Sequence, residues 1–127
     1  MIYNQERARQ PVNFDGIGSG KKIPSDIDLI YENQNRWYFI VEIKLAGNDM
    51  TGGQKIMLER LAKDIIKTGK KVMVLVAEHQ TKAAEIVQAK DCIVVKFYDG
   101  VSWKEANKRI SVGAAFQWFE KKADNGN

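Results

Sequence analysis

Residues 71–77 read Lys-Val-Met-Val-Leu-Val-Ala, an apolar run unbroken after Lys71. A strand with no polar alternation belongs at the centre of a sheet, buried on both faces. The rest of the chain must then supply neighbouring strands and covering helices. Residues 36–45 predict a second strong strand, through Trp37-Tyr38-Phe39-Ile40-Val41-Glu42-Ile43-Lys44. Residues 26–32 alternate and are rich in β-branched side chains, which predicts a third. Between these two lies Glu32-Asn33-Gln34-Asn35-Arg36, turn chemistry that predicts a hairpin.

Residues 53–68 have helical periodicity, with Leu58, Leu61, Ala62 and Ile65 on one stripe and Gly69 placed to end the helix. Residues 91–98 predict a strand, and Asp99-Gly100 a tight turn into residues 101–103. Ser111 reads as the N-cap of a last helix with Val112, Ala115, Phe116 and Phe119 on one face. Residues 4–10 are helix-compatible and stop at Pro11, and residues 121–127 read as a frayed polar tail. The expected order is α-β-β-α-β-(short helix)-β-α. The class is α/β (α+β), a central mixed β-sheet flanked by helices, in a single domain spanning residues 1–127.

Composition narrows the chemistry. The 127 residues include one Cys, Cys92, and one His, His79. A disulfide framework and a cysteine zinc site are both excluded. Hydrolytic chemistry must rest on carboxylates, Lys or hydroxyls. Twenty Lys and Arg against sixteen Asp and Glu give a net charge of +4, which mildly favours an anionic partner. No apolar run approaches the roughly 18 residues of a membrane helix. The start lacks a secretory leader, so a cytoplasmic location is expected.

The charged residues inside the hairpin carry the functional signal. Glu42 and Lys44 share one face of their strand, and Asp26 and Asp28 share a face of theirs. A turn centred near Gln34 sets Asp26 opposite Glu42; a turn centred one residue later sets Asp28 there. Either register gathers carboxylates and one ammonium on one patch. Clustered carboxylates repel, and a divalent cation relieves the repulsion. Oxygen ligands suit Mg²⁺ or Mn²⁺, which can activate water against a phosphate ester. Lys44 supplies positive charge for the attacked phosphate or the attacking water. Gln54 opens the 53–68 helix on its core-facing stripe, and Gly52-Gly53 before it lets backbones approach closely. Helix N-terminal amides there favour a phosphate.

Asp-(x)13-Glu-x-Lys across a hairpin, followed by Gln on the next helix, resembles the PD-(D/E)XK nuclease superfamily. The Gly-Gln-helix-strand part is similar to small VRR-NUC nucleases. Ser25-Asp26-Ile27-Asp28 with Glu42-x-Lys44 is similar to RecU-type Holliday-junction resolvases. The resemblance implies a restriction-endonuclease-like core and an Mg²⁺-dependent (or Mn²⁺-dependent) endonuclease acting on DNA. It implies Asp28, Glu42, Lys44 and Gln54 as catalytic residues, with Asp28, Glu42 and Asp26 at the metal. Asp28 matches by its place in the strand, Asp26 by its closeness to Pro24. Glu6 matches an extra acidic group on the first helix of some resolvases. The resemblance further implies a homodimer, structure-selective cutting of branched DNA, and a phage or bacterial setting.

Arg7, Arg9, Lys21 and Lys22 precede the acidic strand and are candidates for holding DNA phosphates. Two competing readings stand beside the enzyme. One is an inactive nuclease-fold protein that only binds nucleic acid. The other is an interaction protein with Trp37, Trp103 and Trp118 exposed on a partner surface.

Overall fold

The computed structural model describes residues 12–18 and 24–125. Five strands form one sheet in the order β1 to β5: β1 (Leu29–Asn33), β2 (Trp37–Leu45), β3 (Lys71–His79), β4 (Ile93–Tyr98) and β5 (Trp103–Glu105). Only β2 and β3 run parallel, and the sheet is therefore mixed. Helix α1 (Gly52–Lys67) makes the crossover between them, helix α2 (Val112–Asn125) follows β5, and a 3₁₀ turn at Ala89–Asp91 leads into β4. Among the described residues the class is α+β, a five-stranded mixed sheet with two helices, as the hydrophobic pattern predicts. No described helix is long and apolar enough to cross a membrane.

The unbroken apolar run is the middle strand of the five, flanked by β2 and β4. Each face of the sheet meets one helix. Leu58, Ala62 and Ile65 of α1 pack on Ile40, Val74 and Tyr98. On the other face Val112, Ala115 and Phe119 of α2 pack on Trp37, Phe39, Val41 and Leu75. Alternation along β2 decides which side chain goes where, so Glu42 and Lys44 share the α1 face with Ile40.

The hairpin register follows from its turn. Gln34 and Asn35 both have positive φ, at 49° and 61°, and Arg36 N donates to Asn33 O. This primed turn matches strand twist and places Asn33 opposite Trp37 and Leu29 opposite Val41. Of the two registers open in the sequence, it selects the one centred at Asn35. The first strand is shorter than its alternation suggests, beginning at Leu29 rather than residue 26.

Other boundaries move for local reasons. Asp99 Oδ1 accepts from both Val101 N and Ser102 N, which uses residues 99–102 as the turn and pushes β5 to Trp103–Glu105. Gly100 has φ +98°, a left-handed conformation that favours glycine, and a Cβ there would also push the end of the Ile66 side chain aside. The Lys104 ammonium and those two amides hold the Asp99 carboxyl well below the usual range.

The expected polar tail is corrected. Helix α2 continues to Asn125, because tertiary bonds hold its end. Asp124 Oδ1 accepts from Trp37 Nε1 at 2.9 Å and from Arg36 Nη2 at 2.7 Å, and Lys71 Nζ donates to Ala123 O. For Trp37 the expected exposure is corrected by the same contact, since it is only 1% exposed, whereas Trp118 is 53% exposed. Asp124→Ala leaves the buried indole N–H without an acceptor and should cost about 1–3 kcal/mol, read by urea unfolding. The nearby Asp124→Asn keeps an acceptor and should recover much of that loss. The expected helix at residues 4–10 lies outside the described residues, as do Glu6 and the basic candidates Arg7, Arg9, Lys21 and Lys22.

Candidate active site

Extending the β1–β2 ladder by one step from Leu29–Val41 sets Asp28 beside Glu42. Asp28 occupies the bend just before β1, and its Oδ2 accepts from Ile43 N at 2.7 Å. That bond fastens the bend to β2 and fixes the carboxyl against Glu42. Glu42 is 3% exposed, the one charged side chain among the buried residues described. Its Oε2 meets no hydrogen-bond donor among the described residues.

This burial is the main reason the Glu42 carboxyl titrates at about 7 instead of in the usual acid range. A hydrogen bond with the Asp28 carboxyl and the Asp28 charge push it further up, against a smaller pull from Lys44.

Lys44 is two residues along the same face. Its Nζ is 3.7 Å from Glu42 Oε1 and donates to Gln54 Oε1 at 2.9 Å. Gln54 is in turn held by the start of α1. Thr51 is the N-cap, its hydroxyl accepting from Gln54 N while Gln54 Oε1 accepts from Thr51 N. This reciprocal capping box was open to sequence reading as Thr51-Gly-Gly-Gln54, a Thr followed three residues later by Gln. It moves the helix start to Gly52, one residue before the expected boundary. One amide side chain thus links the helix cap to the ammonium. Thr51→Ala removes the cap and should cost about 1 kcal/mol in urea unfolding, while loosening Gln54 beneath Lys44.

The structure brings Asp28, Glu42, Lys44 and Gln54 together. Asp26 is less involved. It is exposed in the extended segment before β1, and its charge acts on Glu42 more weakly than that of Asp28. Among the described residues a Cβ at Gly52 or Gly53 meets no atom within 4 Å, so the close approach expected there is not made by the described backbone. The two glycines leave the start of α1 open instead. His79 ends β3 rather than following it, and its Nδ1 accepts from Thr81 N. By strand alternation it lies on the sheet face opposite Glu42.

Lys96 escaped sequence reading. The ladder pairs Glu42 with Val76 and Val76 with Lys96, so this lysine lies in the same cross-strand row, two strands from Glu42. Strand spacing puts it roughly 10 Å away. It bonds Asp49 at 3.1 Å and lies over the Trp103 ring. A lysine within the apolar run Ile93-Val94-Val95-Lys96-Phe97-Tyr98 was the available signal.

Whether these residues suit a divalent cation is decided by the orphaned Glu42 oxygen. When both are ionised, this buried carboxylate and the one beside it form a hard, doubly anionic oxygen pair. Mg²⁺ binds through one or two carboxylates and completes its shell with water and substrate phosphate. The pair Asp28 and Glu42 fits that pattern. Among the described residues no group of three or more His, Cys, Asp or Glu is placed to hold a metal. A cation here would thus keep most of its positions for water and substrate.

An ammonium has three donors. Gln54 takes one of those of Lys44, and the 3.7 Å approach to Glu42 is an ion pair rather than a hydrogen bond. Donors remain for an anionic oxygen next to the carboxylate pair. Against known proteins the chain stands apart: no family model, no curated protein and no solved structure matches it.

Proposed function

We propose that the chain is a metal-dependent endonuclease that hydrolyses DNA phosphodiester bonds. The observation that carries this reading is the buried Glu42 oxygen, without a partner among the described residues, set beside Asp28, with Lys44 held next to Glu42 by Gln54. A buried carboxylate cluster is destabilising unless a cation or a proton occupies it.

The roles divide as follows. Asp28 and Glu42 would hold Mg²⁺ or Mn²⁺. Once bound, that ion supplies Lewis acidity toward a phosphate oxygen and lowers the pKa of water. Lys44 orients the attacking water or carries charge developing on the phosphate, through donors not committed to Gln54. Gln54 positions Lys44 and restricts its rotamers. The water oxygen adds to phosphorus, one phosphorus–oxygen ester bond breaks, and the departing oxygen takes up a proton. The β1–β2 hairpin, the α1 crossover and parallel β3 are consistent with a restriction-endonuclease-like core. Structure-selective cutting of branched DNA, as in phage recombination or repair, and a homodimer remain part of this proposal.

The test is cleavage of labelled single-stranded, duplex, flap and four-way-junction DNA with Mg²⁺, Mn²⁺ or EDTA. Metal-dependent cutting that disappears in Glu42→Ala establishes the nuclease. No cutting by folded protein that still binds DNA in a salt-dependent way transfers the assignment to an inactive binding protein.

A further inference from the structure

Beside the carboxylate–lysine cluster is a cleft of about 760 Å³, between Phe14 and the segment before β1 on one side and the first half of α1 on the other. Its size is that of a small-ligand site. Phe14, Pro24, Ile56 and Met57 make it largely apolar, and Arg60 and Asp26 add one charge of each sign. Phe14 and Ile56 are 41% and 46% exposed, so aromatic and aliphatic surface faces solvent next to an ionic centre.

Gln54 belongs to both places. It lines the cleft and binds the Lys44 ammonium. Whatever fills the cleft is therefore a direct neighbour of the group handled by Lys44. Arg60 lies two turns further along α1, about 9 Å down the axis. It makes no ion pair or hydrogen bond with another described residue.

A paired duplex has no use for such a cleft, because its base faces are stacked and only phosphates and groove edges reach the protein. An unpaired base offers a bare π-face for an aromatic ring, and its phosphate seeks a cation. The combination of aromatic ring, aliphatic wall and guanidinium, continuous with the cluster, matches that ligand. We propose that this cleft receives an unpaired nucleotide of the DNA substrate next to the cut, its base on Phe14 and its phosphate at Arg60. The proposal rests on the nuclease reading of the cluster and names the substrate feature that the enzyme selects.

Two measurements on the full chain test it. In the first, a matched duplex and the same duplex carrying one unpaired nucleotide are cut with Mg²⁺ by the wild type, Phe14→Ala, Phe14→Trp and Arg60→Gln. The wild type should cut the unpaired substrate at least about 10-fold faster. Phe14→Ala should bring that ratio close to one, Phe14→Trp should keep it, and Arg60→Gln should lower it. In the second, binding of labelled single-stranded DNA is followed in EDTA, where nothing is cut. Loss of one stacked base is worth about 5- to 150-fold, so Phe14→Ala should weaken binding by at least about 5-fold, with Phe14→Trp near wild type.

Equal cutting of the two duplexes by the wild type, or an unchanged ratio in Phe14→Ala, overturns the cleft proposal and leaves the nuclease standing. Absence of all cutting overturns the nuclease, and the EDTA measurement then judges the cleft alone. Binding in EDTA that ignores Phe14 overturns it. Tighter binding and faster cutting of the same sequence as RNA overturns the assignment to DNA.

Discussion

Lys44→Ala should reduce metal-dependent DNA cleavage by about 10²–10³-fold in kcat, the loss seen when one preorganised charge or donor is withdrawn from a developing anion. Binding should change far less, because one cation among several phosphate contacts contributes a small share of affinity. Lys44→Arg is the informative companion. Its planar fork cannot reproduce the single 2.9 Å bond to Gln54 Oε1 while keeping the same point charge over the pair. It should therefore stay well below wild type despite its charge. Gln54→Ala should fall between the two, since Lys44 retains its charge but loses its clamp. Single-turnover cleavage with excess enzyme separates these effects from product release. Wild-type rates in Lys44→Ala would remove the lysine from the mechanism.

Without divalent cation, the folded protein should lose stability as pH rises from about 4.5 to above 7. Glu42 titrates at about 7 in the fold against 4.5 for an ordinary glutamate, so the folded state holds a proton that the unfolded chain has released. Stability from that proton is complete below about 4.5 and is lost as pH climbs through 7. A shift of this size corresponds to about 3 kcal/mol at most, by the relation of roughly 1.4 kcal/mol per pH unit. Glu42→Gln carries a permanent hydrogen in that place and should flatten the profile across this range. Mg²⁺ should act in the opposite sense, raising the melting temperature most at high pH, where the carboxylates are free to bind it. Urea unfolding at pH 5 and pH 8, with EDTA and with Mg²⁺, checks both statements. A stability that is flat in EDTA would mean that Glu42 is not held protonated.

Much of this arrangement was legible in the chain because the deciding signals are local. The apolar run at Val72-Met73-Val74-Leu75-Val76-Ala77 located the central strand, and periodicity located both described helices. Glu42 and Lys44 share a face by alternation alone. The choice between Asp26 and Asp28 opposite Glu42 was not legible, because moving the turn centre by one residue shifts the pairing by two and presents the same face either way. The positive φ of Gln34 and Asn35 made that choice. Composition misled at residues 121–125, where polar character suggested fraying and long-range bonds from Trp37, Arg36 and Lys71 hold the helix. It misled again at Trp37, whose polar nitrogen finds a partner 87 residues away. Glu59 accepts from Trp103 Nε1, 44 residues away, a partner that local spacing does not encode. Lys96 reaches the active-site row through sheet order, which sequence spacing does not encode.

The Asp28–Ile43 bond has a dynamic consequence. Asp28 lies beyond the last ladder pair of an edge strand whose middle three residues are exposed, whereas Glu42 is locked inside β2. The two carboxylates thus belong to regions of unequal local stability, since sheet edges open far more often than sheet centres. Each opening of the first strand carries Asp28 away and dismantles the donor pair without unfolding the sheet. The Ile43 amide should accordingly exchange with solvent faster than those of Ile40 and Val41, and slow when Mg²⁺ is added. Assembly of the acidic pair becomes a breathing equilibrium, and a divalent ion bound there would be the clasp that closes it.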